Sequence, residues 1–445
     1  MKKEFIGEWY YSDNEDKKFN GRLTIDDNNK ILLSIVGRMC KHNEIEIEKT
    51  INGITNEGKY ITLLNCLVRK YSLLGAAEMV YSAKMIIIGV CYKCSEDIKI
   101  SKINCNYTDL NKWLFINSFD VDNNDNELNI KYVEPEINEY DIGDFKFRIN
   151  NKRTCKGNFY EKISVIINSS IEFEFKKQIG LLDAIDKINH FRNLLTIFTS
   201  NKIESYDINF IDKDNKSVSL IFNKMATRES TNIDPYEIFV KYNNIKDNFE
   251  NILTKWYQYK EKIQPIIDYL VYVIEEDKFV VPLTFITIIQ AVEAFSRRTR
   301  NNCKYNVDEH TARVNRILND INDEEDIKWL GDILKYTNEP SLPQRLKSML
   351  NEMDFLIKIN TKKKKSLCCK ISTTRNYYTH FSEDKKNDIM NIDEMFRLTE
   401  YFRLVLRILI FKDLGISEEV ITCNLEYARR EDFTIKYFKK QFMIE

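Results

Sequence analysis

The spacing of apolar residues changes once along the chain. In roughly the first half it alternates. Leu23 and Ile25 share one side of segment 21–26, and Ile31, Leu33 and Ile35 resume the alternation after Asp26-Asp27-Asn28-Asn29. A period of two, broken by a run of turn formers, predicts a β-hairpin. A second hairpin is expected from 206–211 and 218–222, joined through Asp212-Lys213-Asp214-Asn215. Further strands are expected at 60–68, 84–92, 162–168 and 171–175. One helix interrupts them at 180–199, where Leu182, Ile185, Ile188 and Leu194 follow the helical period.

From Asp234-Pro235 onward the helical period takes over. Asp followed by Pro suits an N-cap and first helical position. Pro282 opens a helix whose stripe is Phe285, Ile288, Ile289, Val292 and Phe295. Val314, Ile317, Leu318 and Ile321 mark the next, and 341–350 a shorter one. Segment 367–381 follows a lysine run. A long helix over 392–411 carries Met395, Leu398, Phe402, Val405 and Leu409, and Gly415 stands just beyond it as a stop. The pattern predicts an α+β protein: a β-rich domain over 1–225, then an all-α domain over 226–445, with no repeat of solenoid length.

Composition narrows the function. The 67 Lys and Arg balance 68 Asp and Glu, for a net charge of -1. No global basic field holds this chain on a polyanion, so any nucleic-acid binding needs a local patch. Hydrophobic residues at 43% supply core material for more than one domain and exclude a disordered chain. The start, Met1-Lys2-Lys3-Glu4-Phe5, has no apolar leader, and the most apolar stretches, 85–91 and 404–411, are far shorter than the roughly 20 residues that span a bilayer. Together with ten cysteines, this predicts a cytoplasmic protein with reduced thiols and no membrane partner. Cys91 and Cys94 form a C-x-x-C pair. Zinc would need two more ligands, and Cys40, His42, Cys66 and Cys105 have no diagnostic spacing; the other reading makes Cys91 a small apolar residue of a strand. Phosphate-binding Gly loops and zincin or hydrolase motifs are absent from the sequence, and no cofactor or metal is implied.

Four histidines are the natural acid–base candidates. His42, His190 and His310 have no catalytic company. His380 closes the run Thr374-Arg375-Asn376-Tyr377-Tyr378-Thr379-His380. On a helix, Asn376 and His380 share a face, while Arg375 lies about 140° from His380. The long arginine side chain can curl toward the same place. Arg, amide and His converging on one phosphodiester suit RNA cleavage by the RNA's own 2′-hydroxyl. The cation neutralises the phosphate, the amide orients it, and the imidazole moves the proton.

Arg375-Asn376-x-x-x-His380 on a late helix resembles the R-x4-6-H motif of HEPN ribonucleases. The longer string ISTTRNYYTHF, residues 371–381, is similar to the HEPN domain of ApeA-type abortive-infection proteins. Gln290-Ala291-Val292-Glu293-Ala294-Phe295 resembles that family's first core helix. In the N-terminal half, Gly7-Glu8-Trp9-Tyr10, Gly21-Arg22-Leu23-Thr24, residues 61–66 and Leu110-Asn111-Lys112-Trp113 resemble landmarks of its N-terminal domain. The resemblance implies a metal-independent endoribonuclease of anti-phage defence, with Arg375, Asn376 and His380 catalytic. It also implies a homodimer that pairs two motifs, RNA as partner and activity released on phage infection. The N-terminal domain carries no catalytic constellation of its own and is expected to be the sensor of a phage-derived trigger or an inhibitory lid. The alternative is a HEPN fold that dimerises and binds RNA or protein without cutting. Glu293 is either a carboxylate that supports Arg375 or an ordinary solvated residue. Lys362, Lys363, Lys364 and Lys365, with Arg297-Arg298-Thr299-Arg300, are candidate phosphate contacts or plain surface charge.

Overall fold

The computed structural model describes residues 3–40, 47–71, 78–124, 127–136, 138–158, 160–223, 233–276, 280–301, 303–381 and 388–444. The strands come first. They are β1 (Lys3–Tyr11), β2 (Asn14–Ile25), β3 (Ile31–Val36), β4 (Lys49–Thr55), β5 (Tyr60–Tyr71), β6 (Glu78–Ser82), β7 (Met85–Ile88) and β8 (Lys99–Tyr107). After α1 (Leu110–Leu114) come β9 (Phe119–Asn124), β10 (Glu127–Tyr132), β11 (Asn138–Asp141), β12 (Phe145–Gly157) and β13 (Ile163–Gly180). Helix α2 (Leu181–Thr199) precedes β14 (Ser205–Asp212) and β15 (Ser217–Phe222). Helices follow: α3 (Tyr242–Ile245), α4 (Phe249–Glu275), α5 (Val281–Thr299), α6 (Val307–Asn319), α7 (Glu324–Leu334) and α8 (Leu342–Asn351). The last are α9 (Thr361–His380), α10 (Ile392–Leu414), α11 (Glu418–Leu425) and α12 (Arg429–Gln441). Two compact units result. One comprises Met1–Thr196, Lys202–Pro235 and Lys241–Thr254; the other comprises Ile197–Asn201, Tyr236–Val240 and Lys255–Glu445. The boundary expected at 225 falls in 224–232, outside the described residues.

In the first unit, six strands pair antiparallel in the order β5-β4-β1-β2-β3-β6, and β6 returns to β5 through Leu67↔Ser82 and Val68↔Tyr81. This closes a small barrel and leaves no free edge among those strands. Alternation sends Trp9, Leu23, Ile35, Ile51, Ile61, Leu63 and Met79 inward, all fully buried. Trp9 donates its indole N–H to the Gly21 carbonyl at 3.1 Å. Its ring presses on Gly53, where a Cβ would meet ring carbon at 2.3 Å, so only glycine fits. The first half of β5 pairs with β7, and the ladder continues β7-β15-β14-β8-β13-β12-β11. Phe191 of α2 packs on this extension against Phe147 and Tyr107, with ring centroids 4.8 and 5.4 Å away.

Both expected hairpins form, as β2–β3 and β14–β15. The strands expected at 162–168 and 171–175 are one strand. Its polar middle stays paired with β12 and is held by Asn111, whose side-chain oxygen accepts the Ser169 N–H at 3.0 Å. The strand expected to reach 92 stops at Ile88, because Gly89 turns the chain with φ +131°. Asp234-Pro235 starts only a single 3-10 turn. Cys40, Cys66 and Cys105 are buried, and Cys91 accepts from the Tyr10 hydroxyl at 3.9 Å while burial pushes its thiol pKa up. His42 lies outside the described residues, among which no three His, Cys, Asp or Glu side chains are grouped to hold a metal.

The second unit is helical and centres on α10, whose buried positions run round its whole circumference. Such a helix must be enclosed. Two arginines are buried in it. Arg407 donates to Glu431 Oε1 at 2.6 Å and to the Ile197 carbonyl at 2.7 Å; Arg403 meets Glu400 at 2.6 Å. Burial lowers the Arg403 pKa to about 10, against the opposing pull of Glu400. The stripe expected on α5, Phe285 to Phe295, is fully buried, and α5 packs on α10, α8 and α9.

Candidate active site

Helix α9 carries the motif. Asn360 caps it by accepting the Lys363 N–H at 2.9 Å. The helix therefore takes in the lysine run that sequence reading set before it. Lys362, Lys363 and Lys364 in the first turn, with Lys365 just beyond, oppose the helix dipole, and tertiary contacts offset this. Lys364 is buried and donates to Asn351 Oδ1 and Asp354 Oδ1, both at 2.8 Å. Lys363 donates to the Met443 carbonyl. Lys362 and Lys365 are exposed. From Lys363 to Arg375 the helix rises about 18 Å, so the lysines and the motif occupy opposite ends of one rod.

The motif end is pinned from two sides. The Thr374 hydroxyl donates to the Lys370 carbonyl at 2.8 Å and accepts the Met390 N–H at 3.0 Å. Lys370 is bidentate on Glu394, at 2.7 and 2.9 Å, and Glu394 also closes the capping box of α10 with Asn391. Arg375 is half-buried. Its Nη2 donates to Glu293 Oε2 of α5 at 3.4 Å, and its Nη1 donates to Asn376 Oδ1 at 3.2 Å. The guanidinium thus leans toward the face that Asn376 shares with His380. His380 is the last helical residue and is exposed, and it has no hydrogen bond or ion pair with any described residue. Phe381, at φ +51°, ends the helix there. Its ring is 70% exposed and stands 6.2 Å from Tyr377, which lies edge-on to Tyr378 at 5.1 Å.

Beyond Arg375, charges alternate along a chain that ends on a buried arginine. Glu293 Oε1 accepts from Arg297 at 3.4 Å; Arg297 Nη1 reaches Glu339 Oε2 at 2.6 Å; the buried Arg345 reaches the same oxygen at 3.2 Å. Burial and the neighbouring Arg297 lower the Arg345 pKa. Sequence reading singled out Glu293 but not Glu339 or Arg345, which are remote in sequence and belong to no motif. The basic string after Glu293 is engaged in structure. Arg298 donates to the Lys262 carbonyl at 2.9 Å, and Arg300 pairs with Glu352 and Asp413, both at 2.9 Å. Of the other histidines, His190 is buried in α2 and His310 bonds Thr337 at 3.1 Å.

The contact of Arg375 with Glu293 is long for a charge-assisted bond, which averages about 2.7–2.9 Å. At this length, and with the pair still partly open to water, it contributes at most about 1 kcal/mol. The guanidinium is therefore aimed by its carboxylate and remains exchangeable. A phosphate oxygen can take that fork while Asn376 and His380 offer an amide and an imidazole on the adjoining face.

A closed barrel prolonged into a sheet, followed by a bundle that ends one long helix in Arg-Asn-x-x-x-His, defines an α+β protein with a HEPN-type helical unit. Residues 4–256 match the model of ApeA N-terminal domain 1, and residues 286–420 match that of the Apea-like HEPN domain. The chain belongs to the ApeA-like HEPN family. No curated protein and no solved structure matches it. HEPN domains are generally ribonucleases that commonly dimerise and bind RNA, and ApeA-like members are associated with anti-phage defence. Among the described residues, no helix is long and apolar enough to cross a membrane.

Proposed function

We propose that this protein is a metal-independent endoribonuclease acting in anti-phage abortive infection in the cytoplasm. The observation that carries the proposal is the motif on α9, with Arg375 held by Glu293 at 3.4 Å and turned toward Asn376 while the His380 imidazole stays open. The RNA 2′-oxygen attacks the adjacent phosphorus as its proton passes to an imidazole. The P–O5′ bond breaks, and the leaving oxygen takes a proton from an imidazolium. Arg375 neutralises the phosphorane charge, and Asn376 orients a phosphate oxygen or the imidazole. A homodimer that brings two motifs to one cleft supplies both base and acid. The products carry 2′,3′-cyclic phosphate and 5′-hydroxyl ends. The β-rich unit senses the phage-derived trigger.

The test uses purified full-length protein, a labelled RNA and EDTA. Wild type cuts RNA and spares the same sequence with deoxyribose throughout. His380→Ala loses cutting while keeping its melting temperature. RNA that binds with unchanged affinity but stays whole in both proteins would instead make the domain a binding module.

A further inference from the structure

Helix α7 is apolar on two sides. Ile327, Leu330 and Leu334 are half-buried and turn toward α6; a Cβ added at Gly331, on the same side, would stand 3.9 Å from the Leu318 side chain. Trp329 and Ile333, one turn apart, look the other way, and Tyr336 continues their line just past the helix. All three are exposed, Trp329 at 64%. A surface helix needs one apolar stripe to join its domain. Among the described residues, no side chain covers the second.

The stripe sits on a fixed mount. Helices α6 and α7 bury no residue fully, yet the base of their hairpin is tied. The Lys304 N–H donates to the Asn338 carbonyl and the Tyr305 N–H to Asn338 Oδ1, both at 2.8 Å. Asp323 caps α7 by accepting the Glu325 and Asp326 N–H groups at 2.9 and 3.0 Å.

Charge says what the stripe fits. On its free flank stand Glu325, Lys328, Asp332 and Lys335, all exposed and, at about 100° per residue, within about 80° of one another round the helix. None of the four makes an ion pair with a described residue. Lys335 lies over the ring of its neighbour Tyr336, 5.6 Å from the centroid, which keeps it beside the stripe. The row is spaced three, four, three, the same from either end, and its signs alternate. Turned end for end about a point beside Leu330, it meets its own copy with every sign opposed. Glu325 faces the partner's Lys335, and Lys328 faces the partner's Asp332. A parallel copy would set like against like at each position. A partner of one sign would meet as many like charges as unlike. Flanking charges of this kind choose partner and orientation in paired helices. The same reversal brings the two Trp329 side chains together at the axis.

We propose that α7 is a self-pairing surface, which meets α7 of a second copy antiparallel across a two-fold axis beside Leu330, with Trp329 at the centre and alternating charges along the flank. The contact is isologous, so each copy supplies both halves of every charge pair. The proposal rests on the nuclease reading only in expecting a homodimer. A single helix makes a small interface, so association is expected in the micromolar range.

Sedimentation equilibrium of the full-length protein over a concentration series tests it. Wild type dimerises, and Trp329→Ala weakens the dimer at least about thirtyfold. Glu325→Lys and Lys335→Glu each set like charges together twice in a homodimer and weaken it about tenfold or more. Mixed in equal amounts, these two variants associate nearly as tightly as wild type, because every facing pair is again opposite in sign. That rescue needs both variants folded, so it cannot come from misfolding. Wild type that stays monomeric throughout the series overturns the proposal. So does a Trp329→Ala dimer of wild-type strength, or a mixture no tighter than its two components alone. Mass and RNA cleavage are read on the same samples. Association without cleavage keeps the pairing and removes the nuclease; cleavage by a monomer does the reverse.

Discussion

The buried arginines of the bundle and the cations at the barrel rim are held by different partners. In the helical unit, each arginine withdrawn from water meets a carboxylate: Arg345 with Glu339, Arg403 with Glu400, Arg407 with Glu431. At the barrel rim, Lys17, Arg38 and Lys49 stand over aromatic rings, and Lys49 also lies 3.8 Å from Asp13. A carboxylate at hydrogen-bond distance fixes a cation and offsets its charge, whereas a ring face adds only a weak attraction. Arg375 stands between these cases. Its carboxylate contact is loose, and more than a quarter of its side chain is exposed, so it is both aimed and available. The contrast separates arginines that build the bundle from the one its carboxylate holds loosely.

The largest break in that contrast is expected at Arg375. Arg375→Ala should lower RNA cleavage about 10²–10³-fold in single-turnover assays, the usual scale for losing one charge-stabilising donor. Arg375→Lys should recover only part, because a point charge cannot reproduce the fork. An arginine that only builds would melt the protein instead. That outcome is expected of Arg407. Arg407→Met strands Glu431 in the interior and should cost about 3–5 kcal/mol in urea unfolding, most of it returned by the Arg407→Met/Glu431→Leu pair. On the barrel side, Gly53→Ala forces the Trp9 ring and should cost about 1–3 kcal/mol, leaving cleavage by the folded fraction unchanged. Smaller again is Glu293→Gln. It should shift stability by less than about 1 kcal/mol, yet reduce cleavage several-fold through kcat, because the guanidinium is no longer held. The smallest effect is electrostatic. Lys146 and Arg148 hold the Glu139 carboxyl below its ordinary pKa of 4.5. Its contribution is full above that value and is lost as pH falls through the lower folded one. Melting curves of wild type and Glu139→Gln should therefore converge below pH 4.5, with the wild type the more stable above it.

Much of the architecture is legible where structure is local. Segments 21–35 and 206–222 carry alternation and turn residues in one stretch, and both form their hairpins. The stripes of α5 and α10 needed only helical spacing. Closure of the barrel was not legible, since pairing of β6 with both β3 and β5 is a long-range choice that no local pattern announces. The same holds for the lysine run. Four lysines look like solvated charge until Asn351 and Asp354 are brought under Lys364. At the motif, Arg375, Asn376 and His380 announce themselves by spacing. The alternation that backs Arg375 does not, because Arg297 and Glu339 are 42 residues apart in sequence.

The way α9 stops decides where the imidazole of this chain can point. Glu293 fixes Arg375 from another helix, whereas His380 takes its bearing only from the helical turn between them, and Phe381 closes that turn immediately. Inserting or deleting a single residue between the two would swing the imidazole by about 100° and leave the arginine where it is. In this chain the segment therefore works as a ruler: its length, more than its letters, sets where the imidazole points.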